Sequence, residues 1–237
     1  GPYWLTQNWH VFHHWYRWCL SQESHHLNAC MHEDWGTVRF YLDLDKKLLI
    51  KNEMPKQETI RKVVSATCRL VSQYYQERFG KDADDFPLLL YPVSSCRKCK
   101  ISFHLYSRTV AFRNILHMNE FVKGVRELWE SQKGTEDYEL LLSYKSSSER
   151  SEKSLTEPAI DFGAYKSFQN MRMCFQVNPA VTDQVPVMPY DSVYNSKTLA
   201  FEPMPELTEE EWLQLSHPHY DRSVRKVYDC PPTKNMK

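Results

Sequence analysis

The chain has 237 residues, and its 30 Lys and Arg balance its 30 Asp and Glu, so the formal net charge is zero. That balance excludes a polybasic protein that holds nucleic acid by bulk charge alone. Hydrophobic residues at 41% and charged residues at 25% are ordinary globular usage and exclude disorder along the whole chain. The length fits one large domain or two small modules and suffices to bury a core.

No apolar run reaches the ~18 residues of a membrane span, so no membrane partner is expected. No signal peptide is visible either. With 6 Gly, the chain has too few for a glycine-rich phosphate cradle. Its 7 Cys are odd in number and irregularly spaced, which points to an intracellular, reducing compartment rather than a disulfide framework. Gly1-Pro2 reads as the remnant of an expression tag.

In chain order, residues 3–20 are dense in aromatics and read as a helix. Residues 37–45 alternate with period two: Val38, Phe40, Leu42 and Leu44 on one side, Arg39, Tyr41, Asp43 and Asp45 on the other. This predicts a strand with one core face and one polar face. Ile60, Val63, Val64, Thr67, Leu70, Val71 and Tyr74 recur at helical spacing over 56–79, and Gly80 closes that helix. A short strand is expected over 86–93, limited by Pro87 and Pro92.

Residues 100–106 alternate again, with Lys100, Ser102, His104 and Tyr106 sharing one face. A second amphipathic helix is expected over 118–132 and a short strand over 138–144. The Ser- and charge-rich stretch 145–154 reads as a mobile loop. Strands are expected around Asp161 and over 171–177, and 179–205 is expected to be irregular. Thr208 to Glu211 fits a capping box that opens a helix, and the last fifteen or so residues read as loosely ordered. The mixture without regular alternation is an α+β fold. Its expected division is an N-terminal helical or α/β module over 3–36, a main module over 37–205, and a C-terminal helix and tail over 206–237.

Three groups of residues could carry chemistry. Asp43 and Asp45, at i and i+2 of a strand, point to the same side, and two carboxylates there repel unless solvent or a cation compensates. Divalent metal is one solution; a solvated sheet face is the other. Lys100, Ser102 and His104 line up a cation, a hydroxyl and an imidazole that could hold a triphosphate. Asp161 ends an apolar run and could complete a two-metal site; a turn aspartate is the plainer reading. Arg172 lies in a strand-like stretch and could contact a phosphate or a template base. Cys96-Arg97-Lys98-Cys99 is a Cys-x-x-Cys pair, but no second pair follows at finger spacing, so no structural zinc is expected.

Taken in order, Asp43-Leu44-Asp45, then Lys100-Ile101-Ser102-Phe103-His104, then Ile160-Asp161-Phe162-Gly163 resemble the archaeo-eukaryotic primases, and most of all their primase-polymerase (PrimPol) branch. The flanks agree: Phe12 to Arg17, Ala111 to Phe121, and Asn170-Met171-Arg172-Met173. The Lys-x-Ser-Phe-His wording also occurs in poxvirus-type primase-helicases. The likeness covers roughly residues 10–178.

The resemblance implies a small N-terminal α/β module packed on an RRM-like module of mixed sheet and helices. It implies a metal-dependent primase or DNA polymerase working on single-stranded DNA template with nucleoside triphosphates and alongside replication proteins in DNA damage tolerance. Asp43, Asp45 and Asp161 would be the catalytic carboxylates binding two Mg²⁺ or Mn²⁺ ions. Lys100, Ser102, His104, Arg172 and Arg17 would bind nucleotide. A nuclear, mitochondrial or virus-encoded setting follows.

The chain departs from the family at Gln169, where a second Arg is common, near Asn178, where a Lys is usual, and in lacking the C-terminal zinc domain. A second reading is therefore a catalytically weakened relative that binds nucleic acid or protein. A polymerase-β-type transferase also uses Asp-x-Asp, but Gly36-Thr37 lies too close to the pair. Arg97, Lys98, Arg108 and Arg113 are expected to support salt-dependent nucleic-acid binding with little sequence preference.

Overall fold

The structure, a computed structural model, describes residues 28–31, 36–48, 53–144, 155–166, 169–176, 185–218 and 224–232. Strand β1 (Asn28–Met31) precedes β2 (Val38–Lys47), where the period-two alternation is realised. Helix α1 (Gln57–Phe79) buries Ile60, Val63, Val64, Leu70 and Val71, and ends where Gly80 adopts φ 52 and donates its N–H to Gln76 O. That positive φ suits glycine, which has no Cβ to clash. The one-turn α2 (Lys81–Asp85) leads to β3 (Leu89–Ser94), β4 (Lys100–Phe112) and α3 (Ile115–Ser131).

After these come α4 (Glu136–Leu140), β5 (Leu142–Tyr144), β6 (Leu155–Pro158) and β7 (Gln169–Arg172). The short strands β8 (Met188–Pro189), β9 (Ser192–Asn195) and β10 (Ala200–Pro203), helix α5 (Glu209–Ser216) and β11 (Lys226–Tyr228) complete the described chain.

The fold is mixed α+β. Its main sheet runs β10-β9-β3-β4-β11, with β2 paired to β4 and β8 paired to β3. Its pairings are antiparallel except that of β11, which runs parallel to β4. The apolar side of β2 and β4 (Phe40, Leu42, Leu44, Ile101, Phe103, Leu105) is buried in the core with α1 and α3. Phe121 of α3 sits at its centre, with ring centroids 5.7 Å from Phe40, 5.1 Å from Phe112 and 5.1 Å from Tyr74. Lys46 is buried and donates from Nζ to the Leu140 (2.9 Å) and Leu142 carbonyls, which ties β2 to α4 and β5. Burial pushes its pKa down to about 8.

The expected strands and helices over 37–45, 56–79, 86–93, 100–106 and 118–132 all form, with ends shifted by a few residues. The Thr208–Glu211 capping box forms as well. Of the strand expected over 138–144, residues 142–144 form β5, while 138–140 belong to the helix α4. Thr135 caps it by accepting from Tyr138 N, and Glu136 and Asp137 occupy its first turn, where carboxylates suit the helix dipole.

The expected strand over 171–177 stops at Arg172, because a turn follows in which Phe175 takes φ 65. The stretch 179–205 carries β8, β9 and β10, short strands that pair beyond β3. The tail contributes β11, which registers Lys226, Val227 and Tyr228 against Val110, Ala111 and Phe112; the Tyr228 and Tyr75 hydroxyls meet at 2.8 Å. The expected helix over 3–20, Arg17, loop 145–154 and Asn178 lie outside the described residues. No helix among the described residues is long and apolar enough to cross a membrane.

Candidate functional site

The polar side of the sheet gathers the residues singled out above by strand register alone. Asp43 lies opposite His104, and Asp45 opposite Ser102, across the β2–β4 pairing. On the other edge of β2, Ile160 bridges Leu44; Asp161 N donates to Asp43 O (3.0 Å) and Asp45 N donates to Ala159 O (2.7 Å). Asp161 thus comes level with Asp43, although it follows rather than occupies the strand β6. On the far side of β4, Val93 faces His104, and Ser95 N donates to Ser102 O (3.0 Å). Residues far apart in sequence share one face because an antiparallel ladder aligns every second side chain.

Arg172 arrives by a different route. Strand β7 pairs with β1, with Arg172 opposite Asn28. Its guanidinium Nη2 donates to Ser95 Oγ (3.4 Å). The Ser95 hydroxyl donates to Ser102 Oγ (3.2 Å), which donates to Asp45 Oδ1 (2.7 Å). Lys100 Nζ donates to Asp45 Oδ2 (2.7 Å). Both oxygens of Asp45 are therefore engaged. Burial alone would raise its pKa, but Lys100 and the two hydrogen bonds outweigh burial and hold the carboxyl below its ordinary value.

Asp43 has the opposite environment. Its Oδ1 is buried with no hydrogen-bond partner, 3.7 Å from His104 Nε2. Burial first, then the carboxylates of Asp45 and Asp161, push its pKa up to about 8, against the pull of Lys100 and Arg172. His104 gives little relief. Burial and then Arg172 push its pKa down to about 4, so its imidazole is neutral at neutral pH. Its Nδ1 lies 3.2 Å from the Tyr106 hydroxyl. Asp161 is exposed, and its Oδ1 accepts from Gly163 N (2.9 Å).

The orphaned oxygen and the clustered carboxylates are what a hard divalent cation would satisfy, and the oxygen donors suit Mg²⁺ or Mn²⁺. The residues fit such an ion in chemistry. Among the described residues, however, no group of three His, Cys, Asp or Glu side chains stands ready as a ligand set. The physical reason is local: Lys100 and Ser102 hold both oxygens of Asp45, and Gly163 holds one of Asp161.

Cys96 and Cys99 bracket the β3–β4 turn. Cys96 is buried, its Sγ 3.7 Å from Ser102 O, while Cys99 sits at φ 60 in the turn. Arg108 and Arg113 lie toward the other end of β4, paired with Glu211 (3.1 Å) and Asp229 (3.5 Å), so they do not join the carboxylate face.

Sequence reasoning passed over several site residues. Ser95 carries no motif; only its place opposite Ser102 brings it in. Tyr165, whose hydroxyl accepts from Asp43 N (3.2 Å), and Tyr41, which donates to Ala164 O (3.0 Å), brace the segment that carries Asp161. Tyr41 and Tyr106 stand on the polar face of their strands, and that alternation was the available signal. No protein-family model matches this chain, and no curated protein matches it significantly.

Proposed function

We propose that this chain is a template-dependent nucleotidyl transferase of the primase-polymerase kind, with an archaeo-eukaryotic primase core and an RRM-like catalytic module. The observation that carries the reading is the register that brings Asp43, Asp45 and Asp161 level with His104 and Ser102 on one sheet face. Asp43, Asp45 and Asp161 would hold Mg²⁺ or Mn²⁺, which when bound supplies Lewis-acid stabilisation of the nucleophile and of the departing pyrophosphate.

Lys100 and Arg172 offer charge to phosphate oxygens. Ser102 and Ser95 are hydroxyls positioned by the ladder, and their O–H groups, given to Asp45 and Ser102 in this structure, would turn to donate to an anion. The neutral His104 imidazole donates a hydrogen bond without adding charge beside Asp43. The substrates on this reading are nucleoside triphosphates and a single-stranded DNA template.

Primer extension on single-stranded DNA with Mn²⁺ and nucleoside triphosphates tests it. Labelled product should form with the native sequence and disappear with Asp43→Ala. Absence of incorporation with both Mg²⁺ and Mn²⁺ would sink the reading.

A weakened relative that binds nucleic acid or protein without catalysis is the second reading. The engagement of both Asp45 oxygens favours it, as does Gln169 in place of an arginine. Calorimetry showing retained single-strand binding with no metal or nucleotide affinity would select it.

A further inference from the structure

Lys46 interrupts the apolar row of β2. It continues Phe40, Leu42 and Leu44 along the face that packs on the helices, where the alternation leads one to expect another aliphatic side chain. It is 9% exposed. A buried ammonium is costly unless its hydrogens reach acceptors. Lys46 Nζ donates to Leu140 O (2.9 Å) and to Leu142 O. Leu140 is the last residue of α4, and the terminal carbonyls of a helix have no partner within it. Leu142 registers against Pro158, whose nitrogen has no hydrogen to give. The three donors and long stem of a lysine let one side chain serve both carbonyls.

The carbonyl between them, Leu141 O, accepts from Ala159 N (2.7 Å). Ala159 O in turn accepts from Asp45 N (2.7 Å), and Asp161 N donates to Asp43 O (3.0 Å). Ser143 adds a second tie: its Oγ accepts from Lys47 N (3.0 Å) and donates to Asp45 O (3.5 Å). These bonds close a ring. Strand β2 holds α4 and β5 through Lys46 and Ser143, Leu141 holds Ala159, and the chain from Ala159 to Asp161 returns to β2. Beyond Asp161, Tyr41 braces the chain by donating to Ala164 O (3.0 Å). Lys46 is the counterpart of that brace on the approach to Asp161.

We propose that Lys46 is a positioning residue that sets the place of Asp161 beside Asp43 by clamping the backbone of residues 140–142 to β2. The inference rests on the nucleotidyl-transferase reading for the task of Asp161, as a third carboxylate toward a divalent cation. Lys46 lies on the opposite face of β2 from Asp43 and Asp45, so it acts through the ring of backbone bonds and not by touching cation or nucleotide. Such indirect control matters because ligand distances are held to within about 0.2 Å in a working metal site.

The test compares the native sequence, Lys46→Met, Asp161→Ala and the double variant at pH 7. Methionine keeps the apolar stem and loses the donors. Calorimetric titration of Mn²⁺ should show Lys46→Met and Asp161→Ala each weakened by about tenfold. The double variant should fall no more than about twofold below Asp161→Ala, because both changes act through one carboxylate. Amide hydrogen exchange without metal should speed up at least about tenfold at Ala159 and Asp161 in Lys46→Met, and stay within about twofold in the core of β4. Additive losses near a hundredfold in the double variant, or native Mn²⁺ affinity in folded Lys46→Met, would each overturn the proposal. Should Lys46→Met not fold, Lys46→Ala with added n-propylammonium takes its place. That ion replaces the missing end of the side chain and should restore Mn²⁺ affinity, whereas tetramethylammonium, which has no N–H, should not. No recovery, or equal recovery with both ions, overturns the proposal.

The outcome separates from that of the parent reading. Faster exchange at Ala159 and Asp161 with non-additive Mn²⁺ binding, without any nucleotide incorporation by the native protein, keeps this inference and removes the polymerase. Incorporation by the native protein, with Mn²⁺ affinity and exchange unchanged in Lys46→Met, does the reverse.

Discussion

The two faces of the β2–β4 ladder are built from the same strands and obey opposite rules. On the helix side, Phe40, Leu42, Leu44, Phe103 and Leu105 are at most 1% exposed, and Phe40 meets Phe121 edge to face. There stability comes from dispersion and water exclusion. On the other side, the half-buried Asp43 has an orphaned oxygen beside Asp45 and Asp161, while Lys100 holds Asp45 and Arg172 reaches Ser95. That face is electrostatically strained on its own. One face makes the fold and the other draws on it, and substitutions should separate the two.

The largest effect should come from the helix side. Phe121→Ala removes a ring that meets Phe40, Phe112, Tyr74 and Phe79, and should cost about 3–5 kcal/mol of unfolding free energy in urea. A loss under 1 kcal/mol would mean that the aromatic cluster is not the keystone of this face.

The polar face should respond with the opposite sign. Asp43→Asn removes a buried charge and should raise stability in metal-free buffer near pH 8 by on the order of 2 kcal/mol, while incorporation is lost. A destabilised variant would show that the carboxylate is satisfied by some partner.

The pH dependence of the native protein follows from the same residue. Folded Asp43 keeps its proton up to about pH 8, whereas the unfolded carboxyl releases it near the ordinary value of 3.8. Between those limits the folded state binds more protons, so this contribution to stability is complete at low pH and is lost as pH rises toward 8. Below about pH 6.5 His104, with its folded pKa of about 4, acts in the opposite sense, so chemical denaturation in EDTA should show the decline between pH 6.5 and 8, and Mn²⁺ should flatten it. A rise over that range without metal would contradict the account.

A smaller effect is expected where two helices touch. A Cβ at Gly124 would fall 1.8 Å from the Tyr74 hydroxyl, so Gly124→Ala must displace that ring. The expected net loss is about 1–2 kcal/mol, after the helix-propensity gain from replacing glycine. The smallest effect should be at the exposed Arg126–Glu130 pair, where Arg126→Ala should cost less than about 0.5 kcal/mol.

The two faces were not equally legible in the sequence. The helix face follows from periods of 2 and 3.6, because core burial requires them locally. The same alternation aims Asp43 and Asp45 together, and Lys100, Ser102 and His104 together. Which strand lies beside which, and in what register, is set by non-local packing. The pairing of Asp43 with His104, the level placement of Asp161, and the inclusion of Ser95 therefore needed the structure.

Short elements were the least legible. Strand β11 has three residues, and its stability comes from β4 and from Tyr75, not from its own composition. Helix α4 was hidden by a run of leucines that outweighed the Thr135 cap.

The most direct measurement of the central claim, that the polar face is an unfinished cation site, is calorimetric titration of Mn²⁺ at pH 7.5 into the native sequence and Asp43→Asn. The account predicts saturable binding with proton release by the native protein and at least about tenfold weaker binding by the variant. Equal binding by both, or none by the native protein, would contradict it.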